Sequence, residues 1–221
     1  MQALIFCGGL GTRINKDKKK KVLKPLIKIN NKEILLRIIN IYKKNNIKDF
    51  ILLGGYKFES LKKFSKKIKN LNVKVINTGI YTETAGRLLK VKDQIKGDKF
   101  LLTYGDSLAN FNLKKTLKLK KKNNIVLTVY NYKLPYGVLN IKNDKINHIR
   151  EKNFSIPINA GFYILDKKIF KYINSANESF EKNTIPKILK SKSIKINYDI
   201  TDVWYPMDTL EDKKKLEKVL K

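Results

Sequence analysis

The sequence predicts a single Rossmann-like α/β domain with a mostly parallel central sheet, flanking helices and a small antiparallel hairpin. Three observations predict it. The N-terminal half alternates apolar strand-like runs with amphipathic helical stretches, the pattern of a parallel sheet crossed by helices. The first apolar run ends abruptly in glycines, as a buried strand does when it feeds a tight loop. The 221 residues, 42% of them hydrophobic, suffice for one well-buried core, so the whole of 1–221 reads as one domain.

The elements follow in order. Ala3-Leu4-Ile5-Phe6 is the first strand, and Cys7-Gly8-Gly9-Leu10-Gly11-Thr12-Arg13 is its loop. Lys16 to Lys21 is a charge run, read as a solvated segment near the loop. Asn30-Asn31-Lys32 marks a turn, after which Ile34, Leu35, Ile38, Ile39 and Tyr42 share one helical face. Phe50 to Leu53 is a second strand, closed by Gly54-Gly55-Tyr56. Phe58, Leu61, Phe64 and Ile68 repeat at helical spacing, and Val73 to Ile76 is a third strand. Asn77 to Leu88 opens another helix, with threonines to cap it and Leu88, Val91 and Ile95 on its apolar face. Phe100 to Tyr104 is a fourth strand and Asn124 to Tyr130 a fifth. Tyr136 to Ile141, the turn Asn143-Asp144-Lys145 and a return strand ending in Arg150-Glu151-Lys152 form the hairpin. Ile158 to Tyr163 is a further strand, Phe180-Glu181 starts a helix containing Pro186, and Ile194 to Tyr198 is the last strand.

Chemistry concentrates where ligands bind such sheets, at the carboxyl ends of the strands. Three glycines in four positions let the first loop turn with positive φ and bring bare N–H groups near a ligand. With the Thr12 hydroxyl and the Arg13 guanidinium they suit phosphate oxygens. A dinucleotide fingerprint is excluded because Ile14 stands where its third glycine belongs. A P-loop is excluded because Gly11 is followed by Thr-Arg rather than Lys-Ser/Thr. Asp106, just beyond the fourth strand, is placed to hold Mg²⁺. Asp208 offers a second carboxylate, or alternatively a helix cap.

Gly-Gly-x-Gly-Thr-Arg followed by Lys24-Pro25 resembles the sugar-nucleotide pyrophosphorylases. Thr78-Gly79-Ile80-Tyr81-Thr82-Glu83-Thr84-Ala85-Gly86-Arg87-Leu88, Tyr104-Gly105-Asp106 and Trp204-Tyr205-Pro206-Met207-Asp208-Thr209 are similar to segments of the glucose-1-phosphate cytidylyltransferases, in the same order. The resemblance implies a nucleotidyltransferase that joins CTP and a sugar 1-phosphate, giving a CDP-sugar and pyrophosphate for surface-glycan precursors. It implies Mg²⁺ on Asp106 and Asp208, with Arg13, Lys24 and Asp106 as catalytic groups. Nucleotide contacts fall on Gly8, Gly9, Gly11, Thr12, Arg13, Thr78, Thr82, Gly86, Arg87 and Gly105. Acceptor contacts fall on Tyr104, Glu151, Lys152, Asn159 and Gly161. The sequence departs from the family at Ala85 and Ser107, where glycine is usual, and at Asn153, where proline is usual. It also lacks the family's long insertion before the threonine-rich segment, keeping only the short link from Lys66 to Asn72. Cytosine differs from uracil by an amine donor, which backbone carbonyls near Leu4 to Gly9 could accept. Two other readings stay open: a nucleotidyltransferase using another nucleotide or a non-sugar phosphate, and a non-catalytic nucleotide- or nucleic-acid-binding protein. The presence of both carboxylates favours an enzyme.

Composition sets further bounds. The net charge is +30, from 49 Lys+Arg against 19 Asp+Glu. The lysines are spread along the chain, and no recognition helix, zinc knuckle or aromatic RNA-binding signature accompanies them. No specific nucleic-acid partner is therefore expected, only weak, salt-labile association. A positive field would still draw in anionic substrates. No apolar run is long enough to span a bilayer and the first residues lack a signal-peptide pattern, so no membrane partner is expected. The single cysteine, Cys7, excludes an internal disulfide and fits a reducing, cytoplasmic setting. Cys7 reads as a core residue and the lone His148 as a surface one. A homo-oligomer is left open.

Overall fold

The computed structural model describes residues 1–16, 21–151 and 154–220. The chain opens with β1 (Gln2–Phe6), a 3₁₀ turn (Lys24–Leu26), the short strands β2 (Lys28–Ile29) and β3 (Lys32–Glu33), and α1 (Ile34–Lys44). It continues through β4 (Asp49–Gly54), α2 (Phe58–Ser65), β5 (Asn72–Asn77) and α3 (Thr84–Lys90). Then come β6 (Lys99–Tyr104), β7 (Ser107–Ala109), α4 (Leu113–Lys118), β8 (Asn124–Lys133), β9 (Val138–Lys142), β10 (Lys145–Arg150) and β11 (Ser155–Asp166). A π-helical turn (Phe180–Thr184), α5 (Ile185–Ser191), β12 (Lys195–Thr201), β13 (Trp204–Pro206) and α6 (Leu210–Val219) complete it.

Seven strands form one sheet in the order β12-β8-β11-β6-β1-β4-β5. β1 lies parallel between β4 and β6, while β11 runs antiparallel to both β6 and β8. Alternation along β1 divides the core. Ala3 and Ile5 face α1 and α2, packing with Ile34, Leu35, Ile38, Tyr42, Leu61 and Phe64. Leu4 and Phe6 face the other way, toward Ala85, Leu88, Phe170, Phe180 and Ile188. Period-2 side chains covered on both faces explain why β1 is buried at every position. Each fully buried large apolar side chain, such as Phe50, contributes about 1.5–3 kcal/mol. The hairpin β9–β10 stands apart from the sheet as its own two-stranded pair.

Several boundaries differ from expectation, each for a local reason. α2 ends at Ser65, so Ile68 packs against the core from the following loop. α3 begins at Thr84 behind Glu83 with no side-chain cap, and Ile95 lies beyond a 3₁₀ turn at Lys92–Gln94. The Thr84 hydroxyl is used elsewhere, accepting from the Phe180 N–H at 2.7 Å. β12 is not the last strand: β13 pairs antiparallel with β7 after it. Only the ends of the Lys16–Lys21 run fall among the described residues.

Gly86 sits where α3 meets the loop before the π-helical turn. A Cβ there would lie 2.1 Å from the Ala176 carbonyl oxygen. Gly86→Ala is expected to lower the denaturation midpoint, with overpacking costing about 1–3 kcal/mol against the roughly 1 kcal/mol that alanine gains in an unconstrained helix. A higher midpoint in a urea melt would show that the contact yields.

Candidate active site

The loops after β1 and β5 border a cleft of about 460 Å³, and the loop after β4 packs against both. Its lining runs from Phe6 to Ile14, takes in Lys24 and Pro25, the Ile80–Thr84 turn and Arg87, and closes on Tyr104, Asp106 and Asp208. The glycine loop turns at Gly11, which has φ +60°. Asn15 braces it, donating to the carbonyl oxygens of Leu10 (3.4 Å) and Val22 (2.9 Å) and accepting from the Val22 N–H (3.0 Å). A Cβ on Gly9 would meet nothing within 4 Å, so its face stays open to a ligand. Gly8, Thr12 and Arg13 line the same cleft.

Arg87 holds the three loops together. Its guanidinium donates to the carbonyl oxygens of Gly8 (3.1 Å), Gly54 (3.0 Å), Gly79 (2.9 Å) and Ile80 (3.3 Å) and to the Thr78 hydroxyl (2.6 Å). The residue is 4% exposed. Burial pulls its pKa below the usual arginine range, opposed by the charge of Glu83. Gly8 and Gly55 are glycines because a Cβ on either would collide with this guanidinium. The Gly8 carbonyl also accepts from the Tyr56 N–H at 3.1 Å, so both its lone pairs are used and it is not free to read an amine on a base.

The charge cluster lies between these loops and β6. The Lys24 ammonium donates to Asp106 Oδ2 at 2.7 Å and to Asp208 Oδ1, and Arg13 reaches Asp208 Oδ2 at 2.6 Å. Lys24 is set by its 3₁₀ turn, where Pro25 packs under Gly105. The β7–β13 ribbon brings the two aspartates together, and the Met207 N–H closes it on the Asp106 carbonyl at 2.9 Å. Asp208 is not the cap of α6: Thr209 is, in a capping box with Asp212. The Asp208 carboxylate is thereby left to the cleft.

Two half-exposed carboxylates meeting on one cation are hard oxygen donors of the kind Mg²⁺ takes, with water and phosphate oxygens completing its shell. Among the described residues no group of three or more His, Cys, Asp or Glu forms a metal cage. The donor set therefore fits a cation shared with a polyphosphate.

Not every expected contact residue reaches the cleft. Thr78 is fully buried; its hydroxyl donates to the Gly54 carbonyl at 2.6 Å and accepts from Arg87. Gly86 faces Ala176, and Gly105 lies under Pro25 and against the Phe6 carbonyl. These three are framework, which corrects their reading as nucleotide contacts. Thr82 lines the cleft, with its hydroxyl donating to the Thr78 carbonyl at 2.6 Å. Tyr104 lines the cleft, but Glu151, Asn159 and Gly161 are not part of its lining. Glu151 is exposed beside Gly137, and Lys152 lies outside the described residues. Gly161 borders Tyr104: a Cβ on it, at φ +79°, would sit 3.0 Å from the tyrosine ring, while Asn159 bonds to Tyr163 and to the Gly161 N–H. Sequence reasoning missed Asn15, the exposed cleft residues Ile80 and Tyr81, and Glu181, which accepts from the Tyr104 hydroxyl. Only Tyr81 had a local signal, an aromatic inside a polar turn. Cys7 is buried, and burial pushes its thiol well above the ordinary range, consistent with a core residue and not a nucleophile.

Comparison with known proteins fits this geometry. The Nucleotidyl transferase family model matches residues 2–212. Glucose-1-phosphate cytidylyltransferase of Salmonella typhimurium is 30% identical, the match covering 98% of this chain and 95% of the relative. D-glycero-alpha-D-manno-heptose 1-phosphate guanylyltransferase of Campylobacter jejuni is 35% identical over 77% of this chain and 78% of its own. The crystal structure of HddC from Yersinia pseudotuberculosis complexed with GMP-PN superimposes with a TM-score of 0.79 at 25% identity, covering 100% of this chain and 99% of that one.

Arg87→Ala would leave four loop carbonyls short of a partner. It is expected to lower stability by about 2 kcal/mol or more, since each hydrogen bond made by a charged group contributes about 1.5–3 kcal/mol. Limited proteolysis should then cut first at the Gly54–Gly55 and Asn77–Tyr81 turns. Unchanged melting and cleavage would show that the loops hold without the guanidinium.

Proposed function

The chain belongs to the Nucleotidyl transferase family, and from that premise we propose that it joins CTP and a sugar 1-phosphate to give a CDP-sugar and pyrophosphate. The observation that carries the reading is the cluster of Lys24, Arg13, Asp106 and Asp208 beside an open glycine loop. An oxygen of the sugar phosphate attacks the α-phosphorus of the nucleotide, a new P–O bond forms, and the bond to the pyrophosphate leaving group breaks. Such a transfer needs positioning and charge neutralisation rather than a covalent nucleophile. The open N–H groups of the glycine loop and Arg13 hold the triphosphate. Lys24 sits nine-tenths buried between the aspartates, where its charge is weakly screened and acts on negative charge developing at the α-phosphate. Asp106 and Asp208 would hold Mg²⁺, which supplies Lewis-acid stabilisation of the same charge.

Support for cytosine comes from the threonine-rich segment, Tyr104-Gly105-Asp106 and Trp204 to Thr209, and from the cytidylyltransferase relative that aligns almost end to end. With the Gly8 carbonyl occupied, the carbonyl of Ile80, a cleft-lining residue that accepts once from Arg87, keeps a lone pair for an amine on the base. A second reading, GTP with a heptose 1-phosphate, is favoured by the Campylobacter relative and the HddC complex.

Pyrophosphate release is the test, with each common ribonucleotide and dTTP against hexose and heptose 1-phosphates. CTP is expected to give the highest kcat/KM, about tenfold or more above UTP, because a reversed hydrogen bond in a buried site costs about 1–3 kcal/mol. GTP as the best donor would replace this reading with the second one.

A further inference from the structure

The cleft has two halves. Arg87 ties together the loops after β1, β4 and β5, and that half holds the glycine loop. The other half is formed at the end of β6 by Tyr104, beside β11. Behind Tyr104 runs a chain of polar side chains drawn from three separate segments. Glu181 Oε1 accepts from the Tyr104 hydroxyl and, at 2.9 Å, from the Tyr163 hydroxyl. The Asn159 amide donates to that same Tyr163 hydroxyl, and its carbonyl oxygen accepts from the Gly161 N–H at 3.0 Å. One carboxylate therefore fixes both Tyr104 and, through Tyr163, Asn159.

The carboxylate is itself held firmly. It lies in the π-helical turn Phe180–Thr184, a wide turn that occurs frequently at functional sites. Phe180 next to it is fully buried, edge-on to Tyr163 with ring centroids 5.4 Å apart. The Phe180 N–H is bound by Thr84, and Ser179 and Asn183 close the turn from either end. Burial, with the neighbouring Glu181 charge, keeps the Tyr163 hydroxyl well above its ordinary pKa, so it stays a protonated donor at neutral pH. Low dielectric strengthens such a network and makes any lost member costly.

We propose that Glu181 is the positioning residue for the acceptor: it fixes Tyr104 at the cleft wall, with Tyr163 and Asn159 braced behind it, in the arrangement that receives the hydroxyl-bearing ring of the sugar 1-phosphate. This rests on the reading of the cleft as a sugar-1-phosphate nucleotidyltransferase site, with the acceptor on the β6–β11 side as the resemblance implies. Among the described residues the Glu181 side chain bonds to Tyr104 and Tyr163 and to none of the groups proposed to hold the triphosphate, so its loss should be felt by one substrate only.

Steady-state kinetics of the full chain test this, with CTP, Mg²⁺ and glucose 1-phosphate, or whichever nucleotide and sugar 1-phosphate the wild type turns over best. Glu181→Ala is expected to raise the acceptor KM about tenfold, the loss associated with hydrogen bonds to a charged group, and to leave the nucleotide KM unchanged. Glu181→Gln keeps an acceptor oxygen for the tyrosines and should recover most of that loss. Adding Tyr104→Phe to Glu181→Ala should cost little more, because both act through one bond. If thermal melts show that Glu181→Ala does not fold, Tyr163→Phe carries the test: it cuts only the branch to Asn159 and should raise the acceptor KM alone. Parallel rises in both KM values, or an unchanged acceptor KM, would overturn the proposal. A wild type that prefers another nucleotide would defeat the cytidylyl reading while leaving this comparison to run on the preferred pair. A wild type with no turnover on any pair would defeat both.

Discussion

The site depends on one ammonium. Lys24 lies between Asp106 and Asp208, and without a cation there the two carboxylates would repel each other across a half-buried gap. The fold converges on that point from three places in the chain: the 3₁₀ turn after the glycine loop, the end of β6, and the link from β13 to α6. The β7–β13 ribbon is only three residues long on each side, yet it brings together aspartates about a hundred positions apart in the chain. Its register, Ser107 opposite Pro206, is what lets Asp106 and Asp208 meet.

A second cation organises the glycine-loop half in a different way. Lys24 faces carboxylates, but Arg87 faces carbonyls. A guanidinium surrounded by loop carbonyls leaves its positive charge only partly answered, and that charge lies at the base of a cleft lined by Arg13 and Lys24. The diffuse surface charge adds a long-range field of the same sign, which speeds the approach of polyanions. On the side of β11 the cleft is walled by Tyr104, backed by the Glu181 carboxylate and the Tyr163 hydroxyl. In the proposed reaction that contrast would divide a polyphosphate from a hydroxyl-rich partner.

Much of this was legible in the sequence because the signals were local. An apolar run ended by Gly8 and Gly9 announced β1 and its loop, and Asp106 announced itself by following a strand. Lys24 and Asp208 were found by resemblance, and the structure brings both into one cluster. The misreadings share a physical cause: they concern side chains whose partners lie far along the chain. Thr78 resembled a ligand contact until its hydroxyl was seen to serve Gly54 and Arg87. Gly86 and Gly105 resembled ligand-facing glycines, but each makes room for backbone from another segment. Glu181 was one acid among many until two tyrosines from β6 and β11 were found on it.

The central claim is that Asp106 and Asp208 act as one unit about a single cationic centre. A double-mutant cycle on turnover tests it most directly, using Asp106→Asn, Asp208→Asn and the double variant, each confirmed folded by circular dichroism. Residues that act as a unit show strongly non-additive losses. Each single variant should lose about a hundredfold or more in kcat, the scale of removing one preorganised charge-stabilising group, and the double variant should be little worse than the poorer single one. Losses that multiply, or a single variant with full activity, would contradict the account.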